Sequence, residues 1–242
     1  MASTSAAPAA RFSAQARLRA LQGEIMDLIL ERGLDAGDPL PTENELVAIL
    51  GVGRNALREC LKVLQGLGVV EIRHGFGMFV GPSNFEALAD SLSFRGRLSL
   101  RHEGREAMEL VDVRQALESG LVAGAMEVMT SEQLDMIESA VREMEQRAAR
   151  GEEFSEADAR FHRLLFEPLG NHLLLNLMDV FWKVYRKIHL EVSTGNADLV
   201  ETAAMHRGIY EAVASGDRPA ASEQLNRHFD GIRRLIAEHS GR

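Results

Sequence analysis

The chain has 242 residues, 45% hydrophobic but only 5% aromatic, with a formal net charge of −9. That is enough for two ordinary domains whose cores are packed by aliphatic side chains rather than rings. A single cysteine, Cys60, excludes an intrachain disulfide, and no apolar run is long enough to span a membrane.

Residues 1–10, MASTSAAPAA, lack the basic start and apolar run of a signal peptide, so a disordered tail and a cytoplasmic protein are expected. Leu18, Leu21, Ile25, Leu28 and Ile29 then repeat at helical spacing and predict a first helix. After a turn from Gly33 to Pro41, Thr42 and Glu45 have the spacing of a capping box that opens a short helix with Leu46, Ile49 and Leu50 on one side. Gly51-Val52-Gly53 stops it. A second helix opens at Arg54 with Ala56, Leu57, Cys60, Leu61 and Leu64 inward, and Gly66 and Gly68 close it. Two β-type runs, Val69–Arg73 and Met78–Val80, flank His74-Gly75-Phe76-Gly77. Short helix, tight turn, helix and small hairpin make a winged helix-turn-helix.

On the second helix, Arg54, Asn55, Arg58 and Lys62 face outward. Arg pairs bidentately with guanine and Asn with adenine, while Lys meets phosphate, so the row suits a major groove. A solvated basic face is the plainer reading of those four residues alone; the turn and the glycine-tipped hairpin around them favour DNA. The acidic balance is no obstacle. Residues 1–80 hold eight Lys/Arg against nine Asp/Glu, so nearly all the excess charge lies further on.

The segments LPTENEL, LGVGRNALRECLKVLQGLGVV and RHGFGMFV resemble the DNA-binding domain of the GntR family of bacterial transcription regulators. The resemblance implies DNA contacts at Arg54, Asn55 and Arg58, with His74 and Gly75 at the wing tip. Asn44 stands where the family usually has a DNA-touching Arg, and Gly53 and Asn55 replace its common Ser and Thr. The operator sequence therefore does not carry over.

Residues 11–80 are thus expected to form the winged domain, 81–84 a linker, and 85–242 a second, all-helical domain. In the latter, Phe85–Phe94 reads as a short helix and Arg95–Arg105 as charged and irregular. Six helices are expected to follow: Glu106–Met129; one capped by Thr130 and Gln133 to about Arg150; one capped by Ser155 and Asp158 that stops near Pro168; Asn171 to about Val192; Leu199–Ser215; and one from Asp217 to about His239. Their short connections imply an antiparallel bundle.

Three of the eight histidines lie on apolar stripes. His162 shares one with Phe154, Asp158, Phe161, Leu165 and Leu169; His206 with Ile209 and Val213; His228 with Leu225, Ile232 and Leu235. One buried His is usually a hydrogen-bonded core residue. Three of them with an inward carboxylate cost too much desolvation to stay unpaired, and a metal between helices would compensate them. Spacing alone leaves open whether the stripes converge. ADARFHRLLFEPLGNHLLLNLM and AMHRGIYEAVASGDRPAASEQLNRHF resemble the FCD effector domain of the FadR-type branch of GntR regulators. That resemblance implies ligands at Asp158, His162, His206 and His228. One divalent metal per chain is expected: zinc, with nickel or manganese as alternatives.

Arg114 falls on the stripe formed by Leu110, Leu117, Leu121 and Ala125. An inward guanidinium needs a partner. Either it pairs with Glu118 one turn on, or it clamps a carboxylate effector beside the metal, the role an Arg has in the family. The expected function is a homodimeric regulator, of repressor type by family behaviour, that binds a near-palindromic operator and is controlled by a small organic or sugar acid. A metal-dependent hydrolase with an accessory DNA-binding domain is the alternative; no HExxH motif supports it. A metal-free helical scaffold is the third reading.

Overall fold

A computed structural model describes residues 8–82, 85–192 and 199–240 of the chain. These residues cluster into two compact units that divide between Ala87 and Leu88.

In the first unit, α1 (Pro8–Glu31) packs on α3 (Arg54–Gly66). Residues 1–7 of the expected tail lie outside the described residues; the last three are the start of α1. The predicted capping box opens α2 (Glu43–Leu50): the Thr42 N–H donates to Glu45 Oε2 at 2.8 Å, and Thr42 Oγ1 accepts from the Glu45 N–H. Gly51 ends α2 in the left-handed region at φ 64°, where a side chain is strained. Leu46, Leu57, Cys60, Leu61 and Leu64 are buried with Leu21, Ile25 and Ile29 in one aliphatic core. Ala56, expected inward, is exposed. It stands one residue before Leu57, about 100° around the helix from the buried row. Antiparallel β1 (Val70–Arg73) and β2 (Gly77–Val80) pair Val70 with Val80 and Arg73 with Gly77.

The second unit starts with α4 (Glu86–Ser99), which continues into the first half of the stretch expected to be irregular, as far as Ser99; residues 100–104 are non-helical as expected. Buried Ser93 and Gly96 seat its polar second half, and a Cβ at Gly96 would meet Ile188 Cδ1 at 2.9 Å. Close helix packing thus overrides local polarity. Then come α5 (Arg105–Val128) and α6 (Ser131–Ala149), the latter with its Thr130–Gln133 capping box formed. The next helix, α7 (Ser155–Phe166), lacks the expected Ser155–Asp158 cap: Phe154 is its N-cap residue, no side chain caps it, and Asp158 is buried instead. After a 3₁₀ turn, Glu167–Leu169, come α8 (His172–Val192), α9 (Leu199–Ala214), α10 (Arg218–His228) and α11 (Asp230–Ser240). The last two were expected as one helix. They break at Phe229, whose N–H turns to Arg227 O rather than one turn back, next to His228. Helix α10 packs against both α5 and α9, and α6 and α7 complete the apolar core around Phe161, Phe166, Met144 and Leu225.

Candidate metal centre and nucleic-acid interface

Asp158 and His162 stand one turn apart on α7, His206 is on α9, and His228 ends α10. One ligand atom from each of the four lies within 4.8 Å of the others, so the stripes do converge and the group could hold a metal ion. Asp158, His162 and His206 are buried and His228 is half-buried.

The hydrogen bonds around the group aim the lone pairs. His206 Nδ1 lies 2.8 Å from Thr202 O, which can only accept, so Nδ1 carries a proton and Nε2 is the atom turned to the group. His162 Nδ1 donates to Glu118 Oε2 at 2.6 Å. Its Nε2 lies 3.3 Å from Asp158 Oδ1 and 3.2 Å from His228 Nε2. His206 Nε2 is likewise 3.3 Å from Asp158 Oδ1. Yet Asp158 Oδ1, His206 Nε2 and His228 Nδ1 are buried without a hydrogen bond, so proximity is not matched by hydrogen-bond alignment.

The charges point the same way. Burial alone would raise the Asp158 carboxyl, but His206 and His162 hold it well below the ordinary carboxylate range. Burial and the neighbouring imidazoles His206 and His162 push His228 well down, so it is neutral. Burial would lower His162, but the Glu118 charge draws it up. Glu118 and Arg114 offset each other, and Asp158 is a buried carboxylate among imidazoles. A divalent cation would give the orphaned atoms a partner.

Glu118 is the residue that sequence reasoning undervalued. It is fully buried, accepts from Arg114 Nε at 2.6 Å, and holds His162 from across the bundle. Of the two partners weighed for Arg114, the structure contains the internal one. Arg114 is 4% exposed, and its guanidinium carbon lies 5.2–5.6 Å from the ring centres of Trp182, Tyr185 and Phe229. The inner face of α5 is Val111, Arg114, Glu118, Val122 and Ala125, with Leu110, Leu117 and Leu121 half-buried beside it. The i, i+4 spacing from Arg114 was the available signal for Glu118; its tie to His162 had none.

A cavity of about 270 Å³ opens beside His228, lined among others by Tyr185, His189, Thr202 and Arg234. Arg114 is not on its wall. An aromatic and imidazole stack, Trp182–Tyr185–His189, runs along α8 with ring centres 5.3 and 5.7 Å apart.

In the first unit, Arg54, Asn55, Arg58 and Lys62 are all exposed on α3, as are His74 and Gly75 in the wing. Arg58 Nε donates to Glu43 at 2.9 Å, and Lys62 Nζ to Glu59 at 2.8 Å. Exposed pairs of this kind are worth at most about 1 kcal/mol, so they do not lock the cations away from a phosphate or base. Arg58, Lys62 and the wing residues from Ile72 to Met78 line one cleft.

Residues 19–80 match the model of the bacterial regulatory proteins of the gntR family, and residues 109–231 match that of the FCD domain. The HTH-type transcriptional repressor NanR of Cronobacter sakazakii is 30% identical over 220 residues, covering 88% of this chain and 82% of that protein. The galactonate operon transcriptional repressor of Escherichia coli is 29% identical over 188 residues, covering 77% of this chain and 82% of that protein. Among solved structures, Streptococcus agalactiae GntR is similar with a TM-score of 0.64 at 26% identity, covering 90% of this chain and 99% of that one. No described helix is long and apolar enough to cross a membrane. With a winged unit matched to one family model and a helical unit to the other, this chain belongs to the GntR family of bacterial regulators, FCD-bearing branch, and is a DNA-binding transcription regulator rather than an enzyme.

Proposed function

We propose that this protein is a cytoplasmic, homodimeric repressor whose operator affinity is set by a small hydroxylated or sugar carboxylic acid, bound beside a divalent metal at Asp158, His162, His206 and His228. The observation that carries this is the set of buried side-chain atoms without a hydrogen bond, Asp158 Oδ1 and His206 Nε2 foremost, in a group whose ligand atoms lie within 4.8 Å of one another. When bound, the metal, for which zinc is the best fit to three imidazoles and a carboxylate, supplies a Lewis-acidic centre for a carboxylate or hydroxyl oxygen.

The ligand class follows from the cavity. Arg234 on its wall has the charge to meet an acid, while Thr202, Glu201, Tyr185 and Glu238 offer donors and acceptors to hydroxyl groups. A volume of about 270 Å³ with such walls suits a short polar chain, not an acyl tail. A galactonate operon repressor among the relatives fits that class. Because Arg114 is committed to Glu118, its part in this reading is support: it fixes the carboxylate that orients His162. The effector shifts DNA affinity only through unequal affinity for the DNA-competent and incompetent arrangements.

The test is a thermal-shift screen of hydroxy acids, sugar acids and fatty acids, with operator release as the second readout. Hydroxylated acids are expected to raise the melting temperature in metal-loaded protein and to release DNA. A response that persists after chelation, or one confined to fatty acids, overturns the reading.

On the DNA side, Arg54, Asn55 and Arg58 read base edges in the major groove, Lys62 meets phosphate, and His74 and Gly75 approach the backbone from the wing. Two copies match the two half-sites of a near-palindromic operator. Arg58→Ala is expected to cost about 1–3 kcal/mol of operator affinity and to relax preference at one position per half-site. Footprinting titrations against single-position operator variants check it; unchanged affinity and preference would remove Arg58 from the interface.

A further inference from the structure

The wing carries one feature that charge-based DNA contact does not use. Phe76 sits at its tip with 83% of its surface exposed. The turn fixes it there. The Phe76 N–H donates to Arg73 O at 2.9 Å, and the flanking glycines, Gly75 at φ 81° and Gly77 at φ 114°, hold conformations that L side chains rarely adopt. With no side chains on either side, the tip is a narrow glycine-bounded blade with a single ring at its end. Among positions 74–77 there is no Lys or Arg to grip a phosphate. Arg73, the nearest cation, is engaged at the base of the blade with Glu71 and the Phe79 ring. The other large apolar groups of the wing, Ile72, Met78 and Phe79, are half-buried, so Phe76 alone is presented outward.

We propose that Phe76 is a minor-groove wedge, a specificity-determining residue that partly unstacks one base step in each half-site. Phe76 and the basic residues Arg58 and Lys62 line the same cleft, so a duplex seated on α3 meets the wing tip at its flank. The minor groove, about 6 Å wide, admits a blade bounded by glycines, and it offers little hydrogen-bond information but is open to apolar insertion. A ring left in water gains by stacking on a base face. The cost of opening the stack depends on the step and is least at flexible pyrimidine–purine steps. Phe76 therefore selects sequence through deformability, at positions separate from those that α3 reads by hydrogen bonding. This rests on the α3 face being the DNA face, and the experiment separates the two.

The probe is a duplex enriched from a random-sequence library by the full-length protein, with 2-aminopurine placed at successive positions. Parent protein is expected to raise fluorescence at one step per half-site outside the core read by α3. Phe76→Ala is expected to abolish that rise and to weaken binding roughly tenfold for each half-site, the scale of one stacking contact, with the salt dependence unchanged because no phosphate contact is lost. Phe76→Trp should keep the rise. Library selection with Phe76→Ala should lose the pyrimidine–purine preference and keep the core, whereas Arg58→Ala should lose a core position and keep the fluorescence rise. No rise with the parent, or full affinity and step preference in Phe76→Ala, overturns the proposal. So does a Phe76→Ala protein that binds DNA as the parent does but fails to regulate transcription, which would assign the ring to a protein partner.

Discussion

Glu118→Ala is expected to destabilise the helical unit by about 3–5 kcal/mol, the cost of leaving a buried charge without its partner. The charge is the Arg114 guanidinium, 4% exposed and bonded through Nε to Glu118. The same substitution frees His162 Nδ1, which Glu118 holds at 2.6 Å, so metal affinity should fall about 10–100-fold as well. Denaturant unfolding followed by the fluorescence of Trp182 is the measurement. It is the only tryptophan in the chain and lies against Arg114, so it reports on this unit and not on the winged one. Replacing Arg114 and Glu118 together by Met should recover much of the stability, because a buried pair can give way to apolar packing, but not the metal affinity. If Glu118→Ala unfolds like the parent and keeps its metal, Glu118 neither compensates Arg114 nor orients His162.

His206→Ala is expected to lose the metal and, with it, the stabilisation that metal binding gives the folded state. That stabilisation is about 4 kcal/mol when free metal exceeds its dissociation constant a thousandfold. His206 is fully buried, its Nδ1 is anchored on Thr202 O, and its Nε2 has no hydrogen bond and lies 3.3 Å from Asp158 Oδ1, so the proposed ligand atom is held in place beside a second one. Metal analysis after mild purification should find near-stoichiometric metal in the parent and a deficit in the variant. Chelation should lower the parent's melting temperature and leave that of the variant unchanged. Cavity formation also destabilises the variant, so the chelator response, rather than its absolute stability, carries the conclusion. Full metal occupancy in His206→Ala would sink the four-residue site.

The two units differ in how far local sequence reveals them. In the winged unit, local chemistry and final structure coincide. Thr42 and Glu45 are three residues apart and cap α2 across that distance; Gly51 supplies the left-handed turn; Leu57, Cys60, Leu61 and Leu64 fall on one side of one helix. The helical unit resists the same treatment where a residue answers to a distant partner. Ser155 and Asp158 have the spacing of a cap, but Asp158 faces His162 and His206 instead, since a buried cluster of imidazoles offers it more than a backbone N–H. Arg95–Ser99 reads as irregular because its charges are local, whereas its helix is held by Gly96 against α8.

By itself the sequence determined the outward basic row of α3 and the inward stripes that carry Asp158, His162, His206 and His228, because helical periodicity and capping act over three or four residues; the two-part organisation and the ligand set came from the family resemblance. Only the tertiary structure decided that the ligands converge, that Arg114 closes on Glu118 and that Glu118 reaches His162 on another helix 44 residues further along. The physical reason is shared: each is a choice among partners for a buried polar group, and the choice is made by what desolvation leaves within reach once the helices have packed.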